Sequence, residues 1–520
     1  MDMADTDRNW RNVDFSLSFL LVLSLALKLA LLAAGHVVNP DGVRYIDAAR
    51  LITEGDFIAA VGREKMLLYP FLLATFNLLI RDWVLAGQII SLVSLVVTLF
   101  PLFWLTTGIF NQRVAFWAGF AFVLSPTLNG LSIDLIRDPL FLCFATWSIY
   151  YFWRSLTGSR IRFYGLTSLF AILALMCRIE GLGLFVLYPA ICLVLAARHP
   201  SERSSLFKGT AVMAGIPLLL LFTTGGMLQG IAGVEIDFLN RWAEVWGRLQ
   251  AIANGEFLFM YRYLYDHLGS LDNPHAYWSS GSFYETARHY LPIIYLFGLV
   301  EALFENLFLL FVVPLIVGFG KRPVFNRAHW LLLSVAGFYF LVAYYWLFIQ
   351  DFTSKRYLLL PTLMLYPWVG RGLDRIWIRL SEVRRPRIAM LLFLFIFCGI
   401  PAFKTLGVVV GPDKSSIFKE AGIWLAEQND LRGYLLAGND PRFRLYSAPD
   451  LRFVEPAEEF SIFQDYNASE RIALEREVDF LILEISQKRR DELPPFQHYT
   501  MLKELTDGKK VVLVFRRIVP

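Results

Sequence analysis

The chain has 520 residues, of which 56% are hydrophobic and only 18% are charged, with a net charge of +4. Soluble domains carry about 25% charged residues, so this composition excludes an ordinary soluble protein. The uncharged stretches 84–108, 209–234 and 330–350 are each long enough to cross a hydrocarbon core of roughly 30 Å. The sequence therefore predicts a polytopic membrane protein.

Residues 1–14 are polar and are predicted to be cytoplasmic. The apolar run Phe15–His36 that follows contains Lys28 and lacks a small-residue cleavage site, which favours a retained first span over a signal peptide. All four cysteines lie inside apolar runs and are interpreted as packing residues, with no disulfide or metal site.

The hydrophobic pattern predicts a mainly α bundle of about eleven spans, or up to about thirteen. These spans lie near 15–36, 84–108, 113–127, 139–153, 163–177, 181–197, 209–232, 291–319, 329–350, 357–370 and 388–405. The apolar segment Met66–Ile80 is shorter and is interpreted as a half-helix or interfacial helix.

Loop charge predicts which side each loop faces, because Lys and Arg concentrate on the cytoplasmic side. With the N-terminus inside, the inner loops carry far more basic than acidic residues; they are 111–113, 154–162, 198–208, 320–328 and 371–387. The membrane domain is predicted over 15–410, with outer loops at 37–66, which holds juxtamembrane helices, and at 235–290.

The composition becomes polar from about residue 411. Ser415–Asn429 has helical spacing of apolar residues, and three short segments are typical of strands: Gly433–Ala437, Val478–Glu484 and Lys510–Arg516. Because an odd number of spans precedes it, the segment 411–520 is predicted to be a small α/β domain outside the membrane.

The predicted topology gathers ionisable residues at the outer face, where such residues mark functional sites. A carboxylate there can act as general base on a hydroxyl, and Lys or Arg beside it can hold a phosphate leaving group. The candidate substrate-binding and catalytic residues are Asp41, Arg44, Tyr45, Arg63, Lys65, Tyr69, Asp134, Arg137, Asp138, Arg178, Glu180, Lys355 and Arg356.

Several of these residues also have a structural interpretation. Asp41 could be the N-cap of a helix that begins near Val43. Arg178 and Glu180 could form an ion pair that breaks a helical hairpin, and Lys355-Arg356 could anchor the end of a span. Outside this set, Glu301 and Glu305 lie one helical turn apart and are predicted to line the bundle interior.

Short motifs follow one another along the chain: Asp41, Tyr45, Ala48 and Ala49; Gly55-Asp56; Lys65 and Tyr69-Pro70; Ser125-Pro126; Asp138-Pro139; Arg178-Ile179-Glu180-Gly181; and Lys355-Arg356-Tyr357-Leu358. In their order and sidedness they resemble the C-type glycosyltransferases. The branch most similar is the protein O-mannosyltransferase-like branch of family 39, whose relatives include lipid A aminoarabinose transferase and lipopolysaccharide galacturonosyl transferases. The resemblance covers roughly residues 15–200.

The resemblance implies inverting transfer of a sugar from a polyprenyl-phosphate carrier, with Asp41 as the catalytic carboxylate. It also implies that Lys65, the lysine of the family's Glu-Lys-Pro-Pro motif, meets the carrier phosphate. This chain has Met66-Leu67 in place of the two prolines, and Gly42 where many members carry a second acid. Asp138 is therefore the candidate second carboxylate, with Asp134 behind it.

The expected partners are a polyprenyl-phosphate sugar donor, membrane lipid, and a glycan, lipid A or protein acceptor, with no nucleic acid. No cofactor is certain, and a divalent metal stays open. The expected location is a bacterial inner membrane, with the N-terminus cytoplasmic and the C-terminal domain periplasmic. The alternative function is a transporter or flippase of lipid-linked sugars, although the internal repeats common in transporters are not visible.

Overall fold

The computed structural model describes most of the chain. The described residues are 15–33, 37–158, 160–232, 258–270, 283–320, 326–350, 354–410, 416–428, 433–448, 451–454, 466–493 and 495–518, with the single residues Gly247, Gln250, Asn254, Gly255 and Leu431.

Helices predominate in the described part of the first four hundred residues, as its apolar composition predicts. They are Phe15–Ala33, Pro40–Glu54, Phe57–Arg63, Leu68–Ile80, Trp83–Ile109, Gln112–Leu124, Pro126–Ser132, Asp138–Gly158, Ile161–Cys177, Leu182–Arg198, Arg203–Ala232, Phe259–Ser270, Phe283–Leu307, Val312–Phe319, Arg327–Gln350, Leu359–Ser381, Pro386–Leu394 and Ile400–Val410. Among the described residues, 6 helices are long and apolar enough to cross a membrane, or up to 7 if one bent pair counts as a single span.

Each predicted span overlaps one or two of these helices, and two of the spans are not straight. Helices Gln112–Leu124 and Pro126–Ser132 form the bent pair, at an angle of 60°. The predicted span 291–319 is interrupted after Leu307, where Phe308 has a φ of 70° and helix Val312–Phe319 begins beyond it. A non-glycine residue with a positive φ does not continue an α-helix, so the helix ends here. The apolar sequence of 291–319 contains no pattern that predicts this break.

The C-terminal residues form a sheet of five strands, β1 (Leu435–Gly438), β2 (Arg452–Phe453), β3 (Phe480–Ser486), β4 (Tyr499–Thr506) and β5 (Lys510–Arg517). The order of the strands in the sheet is β2-β1-β3-β5-β4. Strand β1 pairs in parallel with β2 and β3, whereas β5 pairs antiparallel with β3 and β4. The three predicted strands are found within about two residues of their expected bounds.

Apolar side chains of the sheet alternate between two clusters, as the pleat requires. Phe480, Ile482 and Val512 belong to the cluster that includes helix Ser416–Glu427, and Leu481 and Leu483 belong to the other. The short helices Arg442–Tyr446 and Tyr466–Glu475 connect the strands. A small α/β fold with its own core is the result, as predicted.

The chain divides into two compact units. The first contains residues 1–27, 92–131 and 137–405, and the second contains 28–91, 132–136 and 406–520. The sheet therefore belongs to the same unit as helices Pro40–Glu54 and Leu68–Ile80.

Candidate active site

Asp41 lies in the first turn of helix Pro40–Glu54. The expectation that Asp41 caps a helix starting near Val43 is wrong: the side chain of Asn39 is the cap and accepts a hydrogen bond from Asp41 N at 3.0 Å. Asn is a preferred N-cap and proline is favoured at the next position, so the pair Asn39-Pro40 starts the helix earlier. The Asp41 carboxylate is 30% exposed and lies 3.6 Å from the guanidinium of Arg44.

Arg44 also lies 3.6 Å from Glu64, whose side chain is only 7% exposed. Glu64 accepts a hydrogen bond from Met66 N at 3.2 Å, which holds the short segment between helices Phe57–Arg63 and Leu68–Ile80. Lys65, which lies between Glu64 and Met66 in the chain, is exposed and has no ion-pair partner among the described residues. This segment thus presents a cation to its surroundings, although both family prolines are absent.

Asp134 supports Asn39, the N-cap of helix Pro40–Glu54. Its carboxylate accepts hydrogen bonds from Asn39 N at 3.3 Å and from Asn39 Nδ2 at 3.4 Å. The backbone around it is held by Ser91, whose hydroxyl donates to Asp134 O at 2.7 Å, and by Gln88, whose amide donates to Ile133 O at 2.8 Å. Asp134 therefore lies beside Asn39 and positions the first turn that contains Asp41.

Gly42 explains why this chain has no second acid after Asp41. A Cβ atom at Gly42 would lie 2.7 Å from Val38 Cγ1 and 2.9 Å from Leu135 O. The carbonyl belongs to the backbone and cannot move aside cheaply, so a glutamate side chain does not fit at this position.

Tyr45 lies on helix Pro40–Glu54, and Tyr69 and Arg63 act on that helix from neighbouring segments. The rings of Tyr45 and Tyr69 are buried and pack edge to face, with centroids 5.2 Å apart. Arg63 ends helix Phe57–Arg63, is half-buried and acts electrostatically on the carboxylate of Asp47. In this structure the two tyrosines support the helix from inside.

A second group of charged residues lies in the other unit, around Arg178. Its guanidinium forms ion pairs with Asp138 and with Glu180, the latter at 2.6 Å. Helix Ile161–Cys177 ends at Arg178, and helix Leu182–Arg198 begins beyond a short 3-10 turn. The predicted ion pair at a break between two helices is confirmed, with Asp138 as a further partner.

The charges in this group are almost completely buried. Asp138 is 1% and Arg178 is 8% exposed. Burial by itself would lower the pKa of Arg178, but the charges of Asp138 and Glu180 outweigh it and hold that pKa well above its ordinary value. Arg178 therefore keeps its charge, and the two carboxylates compensate it.

Arg356 and Tyr357 complete the second group. Arg356 lies 3.7 Å from Asp138 Oδ2, and the Arg356 side chain is 33% exposed. Among the described residues, Asp138 Oδ2 has no hydrogen-bond partner. The guanidinium of Arg178 lies over the ring of Tyr357, 5.2 Å from its centroid. Asp138 Oδ2 thus faces a cation that is partly accessible.

Lys355 and Arg137 lie at the border of the second group. Lys355 forms an ion pair with Glu305, and its backbone carbonyl accepts a hydrogen bond of 2.6 Å from Asn306 Nδ2. Glu301 and Glu305 are both exposed, and that they line the bundle interior stays a prediction. Arg137 is half-buried and acts electrostatically on Glu180.

The structure also identifies residues that sequence reasoning missed, above all Asn39 and Glu64. The Asn39-Pro40 pair is a helix-start signal present in the sequence. Glu64 is the glutamate of the Glu-Lys motif in the sequence, but its contact with Arg44 has no local signal, because that contact depends on tertiary packing. No group of three or more His, Cys, Asp or Glu side chains that could hold a metal occurs among the described residues.

The fold is that of the C-type glycosyltransferases, which confirms the resemblance inferred from the motifs that begin at Asp41. The model of the dolichyl-phosphate-mannose-protein mannosyltransferase family matches residues 64–225. No curated protein sequence matches the chain.

Solved structures with a similar fold extend over nearly the whole chain. ArnT from Cupriavidus metallidurans in the apo state is 13% identical with a TM-score of 0.57, covering 96% of this chain and 97% of ArnT. The same protein bound to undecaprenyl phosphate gives a TM-score of 0.55 at 12% identity, with the same coverage. The oligosaccharyltransferase of Archaeoglobus fulgidus, in complex with zinc and sulfate, gives 0.56 at 13% identity and covers 95% of this chain and 72% of its own. At these identities the likeness concerns the fold.

Proposed function

We propose that the protein transfers a sugar from a polyprenyl-phosphate donor to a hydroxyl of an envelope glycan, lipid A or protein, with inversion at the anomeric carbon. The proposal rests chiefly on one observation: Asp41, the residue matching the family's base, is partly exposed in the first turn of a capped helix. The similarity to ArnT, which was solved with undecaprenyl phosphate bound, supports the choice of donor class.

In the proposed reaction, Asp41 accepts the proton of the acceptor hydroxyl as its oxygen attacks the anomeric carbon. The bond between that carbon and the phosphate oxygen breaks, and polyprenyl phosphate leaves with the electron pair. A positioned carboxylate suits this role because general-base catalysis needs a fixed acceptor within reach of the proton. The helix N-terminus beside Asp41 stabilises the negative charge of its carboxylate.

The departing phosphate needs cations. Lys65 is exposed, and its ammonium group is not neutralised by an acid among the described residues, so it is the first choice for this contact. Arg63 and Arg356 are further candidates, because charge-assisted hydrogen bonds to phosphate are among the strongest in proteins. Asp138 is assigned to orienting the acceptor or the sugar, with Arg178 holding its carboxylate.

The proposed setting is the inner membrane of a bacterium, with the site on the periplasmic face. The excess of Lys and Arg in the predicted inner loops supports this orientation. Labelling single cysteines placed at Lys65 and at Arg384 with a membrane-impermeant reagent tests it, since only the first is expected to react in intact spheroplasts.

The transferase proposal is tested by incubating the purified protein in lipid with undecaprenyl-phosphate sugars and membrane extract. We expect release of free undecaprenyl phosphate, at least a hundredfold slower with Asp41→Asn. The matched control is Asp82→Asn, because Asp82 is an exposed aspartate at another helix start, where its side chain accepts backbone hydrogen bonds that Asn accepts equally well.

The assignment of Asp41 fails if a folded Asp41→Asn variant releases the carrier at the wild-type rate. The transferase itself fails if no donor yields free carrier while lipid-linked sugar still changes leaflet in vesicles. That second result is the one expected of a flippase.

A further inference from the structure

A cavity of about 320 Å³ lies where two helices meet in the first unit, toward the end of helix Leu359–Ser381 that is remote from Lys355 and Arg356. It is lined by Val317 and Gly320, at the end of helix Val312–Phe319, and by Arg375, Ile378 and Arg379 on helix Leu359–Ser381. The volume is in the range of small-molecule sites. Two of its five lining residues are arginines, and none is acidic.

Three arginines, at positions 371, 375 and 379, share one face of helix Leu359–Ser381, because residues four apart in a helix lie above one another. Arg375 donates through one nitrogen to Val317 O at 2.7 Å and to Gly320 O at 2.6 Å. Arg371 donates to Gly318 O at 3.2 Å. Backbone carbonyls at the C-terminal end of helix Val312–Phe319 thus hold both guanidinium groups in place.

These arginines retain donors for a further ligand. A guanidinium group carries five N–H donors, and within the described part of the chain Arg371 and Arg375 each use only Nη1 for side-chain hydrogen bonds. Arg379 is exposed and forms no ion pair with a described residue. Asp374, the acid on the same helix, lies 2.9 Å from Arg113. The positive charge around the cavity is therefore not compensated by carboxylates among the described residues.

The surface beside the cavity is apolar. Leu309 is 72%, Val313 is 56% and Ile316 is 65% exposed, and they follow one another at helical spacing toward Val317 and Gly320. An apolar strip of this kind is expected to contact acyl chains in a membrane protein. A fixed cationic pocket at the end of such a strip matches a ligand with one phosphate and attached hydrocarbon.

We propose that this pocket binds the phosphate of an anionic phospholipid. Basic pockets between membrane helices on the cytoplasmic side are suited to such headgroups, and the inner loops predicted at 320–328 and 371–387 place the pocket on that side. Binding would hold helices Val312–Phe319 and Leu359–Ser381 together. The site is independent of the proposed sugar transfer.

The test measures thermal unfolding of the full-length protein in detergent with added phosphatidylglycerol, phosphatidylcholine or inorganic phosphate. The variant is Arg379→Gln, because Arg379 lines the cavity but holds no described backbone carbonyl, so the variant is expected to fold. Its matched control is Arg198→Gln, an exposed arginine at the end of helix Leu182–Arg198 in another predicted inner loop.

We expect phosphatidylglycerol to raise the midpoint of unfolding of the wild type and of Arg198→Gln well above the value in phosphatidylcholine. In Arg379→Gln the concentration needed for half of this shift should rise about tenfold. The proposal is overturned if both lipids stabilise equally or if Arg379→Gln responds like the wild type. An equal shift from inorganic phosphate alone would also overturn it, since it would identify a free-anion site.

Discussion

Arg444 forms an ion pair with Asp47, a residue 397 positions earlier in the chain. The side chains are 27% and 17% exposed, so the pair is largely shielded from solvent. Next to it, Tyr446 accepts a hydrogen bond of 2.9 Å from Val38 N. Helix Arg442–Tyr446 of the C-terminal sheet is thereby joined to the helix whose first turn contains Asp41.

Replacing Arg444 with Met should destabilise the protein, because it leaves the partly buried carboxylate of Asp47 without its closest cation. We expect a loss of about 2 kcal/mol in the free energy of unfolding. The double variant Asp47→Leu/Arg444→Met should recover most of it, since an apolar pair needs no compensation. Denaturant unfolding in detergent measures both values. A double variant no more stable than Arg444→Met would show that the pair is not the cause.

The same carboxylate should make stability depend on pH. Burial raises the pKa of Asp47, and the nearby Arg444, Arg50 and Arg63 only partly oppose it. Because the folded pKa lies above the unfolded value, the folded state binds the proton more tightly. The stability that protonated Asp47 contributes to the folded state is complete below the pKa of the unfolded state and is lost as the pH rises through the pKa of the folded state.

Asp47→Asn removes this titration, so the stability of the wild type relative to Asp47→Asn should fall as the pH rises above the ordinary aspartate range. Unfolding midpoints of both proteins in a series of buffers measure the difference. A difference that is constant or increases with pH would contradict the raised pKa.

Asn39→Ala tests whether the helix cap positions Asp41. Loss of an Asn cap costs about 1 kcal/mol, and here it also removes the hydrogen bond that Asn39 Nδ2 donates to Asp134. The matched control is Asn111→Ala, because Asn111 caps helix Gln112–Leu124 in the same way, accepting from Val114 N at 3.0 Å. We expect similar losses of stability from both, but a fall in kcat at unchanged KM only for Asn39→Ala. Equal kcat for the two variants would leave Asn39 with a structural role alone.

The sequence predicts the helical fold well, because apolar runs must be helical in a membrane whatever their tertiary partners. It also predicts the ion pair of Arg178 with Glu180, since these residues are adjacent at a helix break. The ion pair of Arg444 with Asp47 has no such local signal and depends on how distant segments pack. The break at Phe308 was missed because an apolar run shows length and not backbone conformation.

The start of helix Pro40–Glu54 illustrates a different limit. The sequence contained the information, since Asn39-Pro40 is a strong helix start, but Asp41 is also a favoured capping residue. Two valid local rules competed, and geometry decided between them. The need for glycine at position 42 depends instead on the nearby carbonyl of Leu135, which lies about ninety residues further along the chain and has no local signal in the sequence.

Arg178→Gln should lower the free energy of unfolding far more than the loss of a surface ion pair does. It removes the cation shared by two buried carboxylates, Asp138 and Glu180, at an expected cost of about 3–5 kcal/mol. The control is Arg327→Gln, which breaks the bidentate pair with Glu202, where the side chains are 39% and 37% exposed. That pair should contribute about 0–1 kcal/mol. Comparable unfolding free energies for the two variants would show that the Arg178 group is open to solvent.

Gly372→Ala tests the close approach of helix Leu359–Ser381 to helix Val312–Phe319. A Cβ atom at Gly372 would lie 1.7 Å from Pro314 O, and one at Gly318 would lie 1.9 Å from Trp368 O. Both contacts are with backbone carbonyls, so the helices must separate, at a cost of about 3 kcal/mol.

The control for this variant is Gly337→Ala, in helix Arg327–Gln350. A Cβ atom there meets nothing within 4 Å, so the substitution should stabilise the helix by about 0.5–1 kcal/mol. Thermal unfolding followed by circular dichroism should therefore shift in opposite directions for the two variants. A Gly372→Ala protein as stable as the wild type would mean that the two helices are further apart in the membrane than in this structure. The cavity lined by Arg375 and Arg379 would then lose the wall that Val317 and Gly320 form.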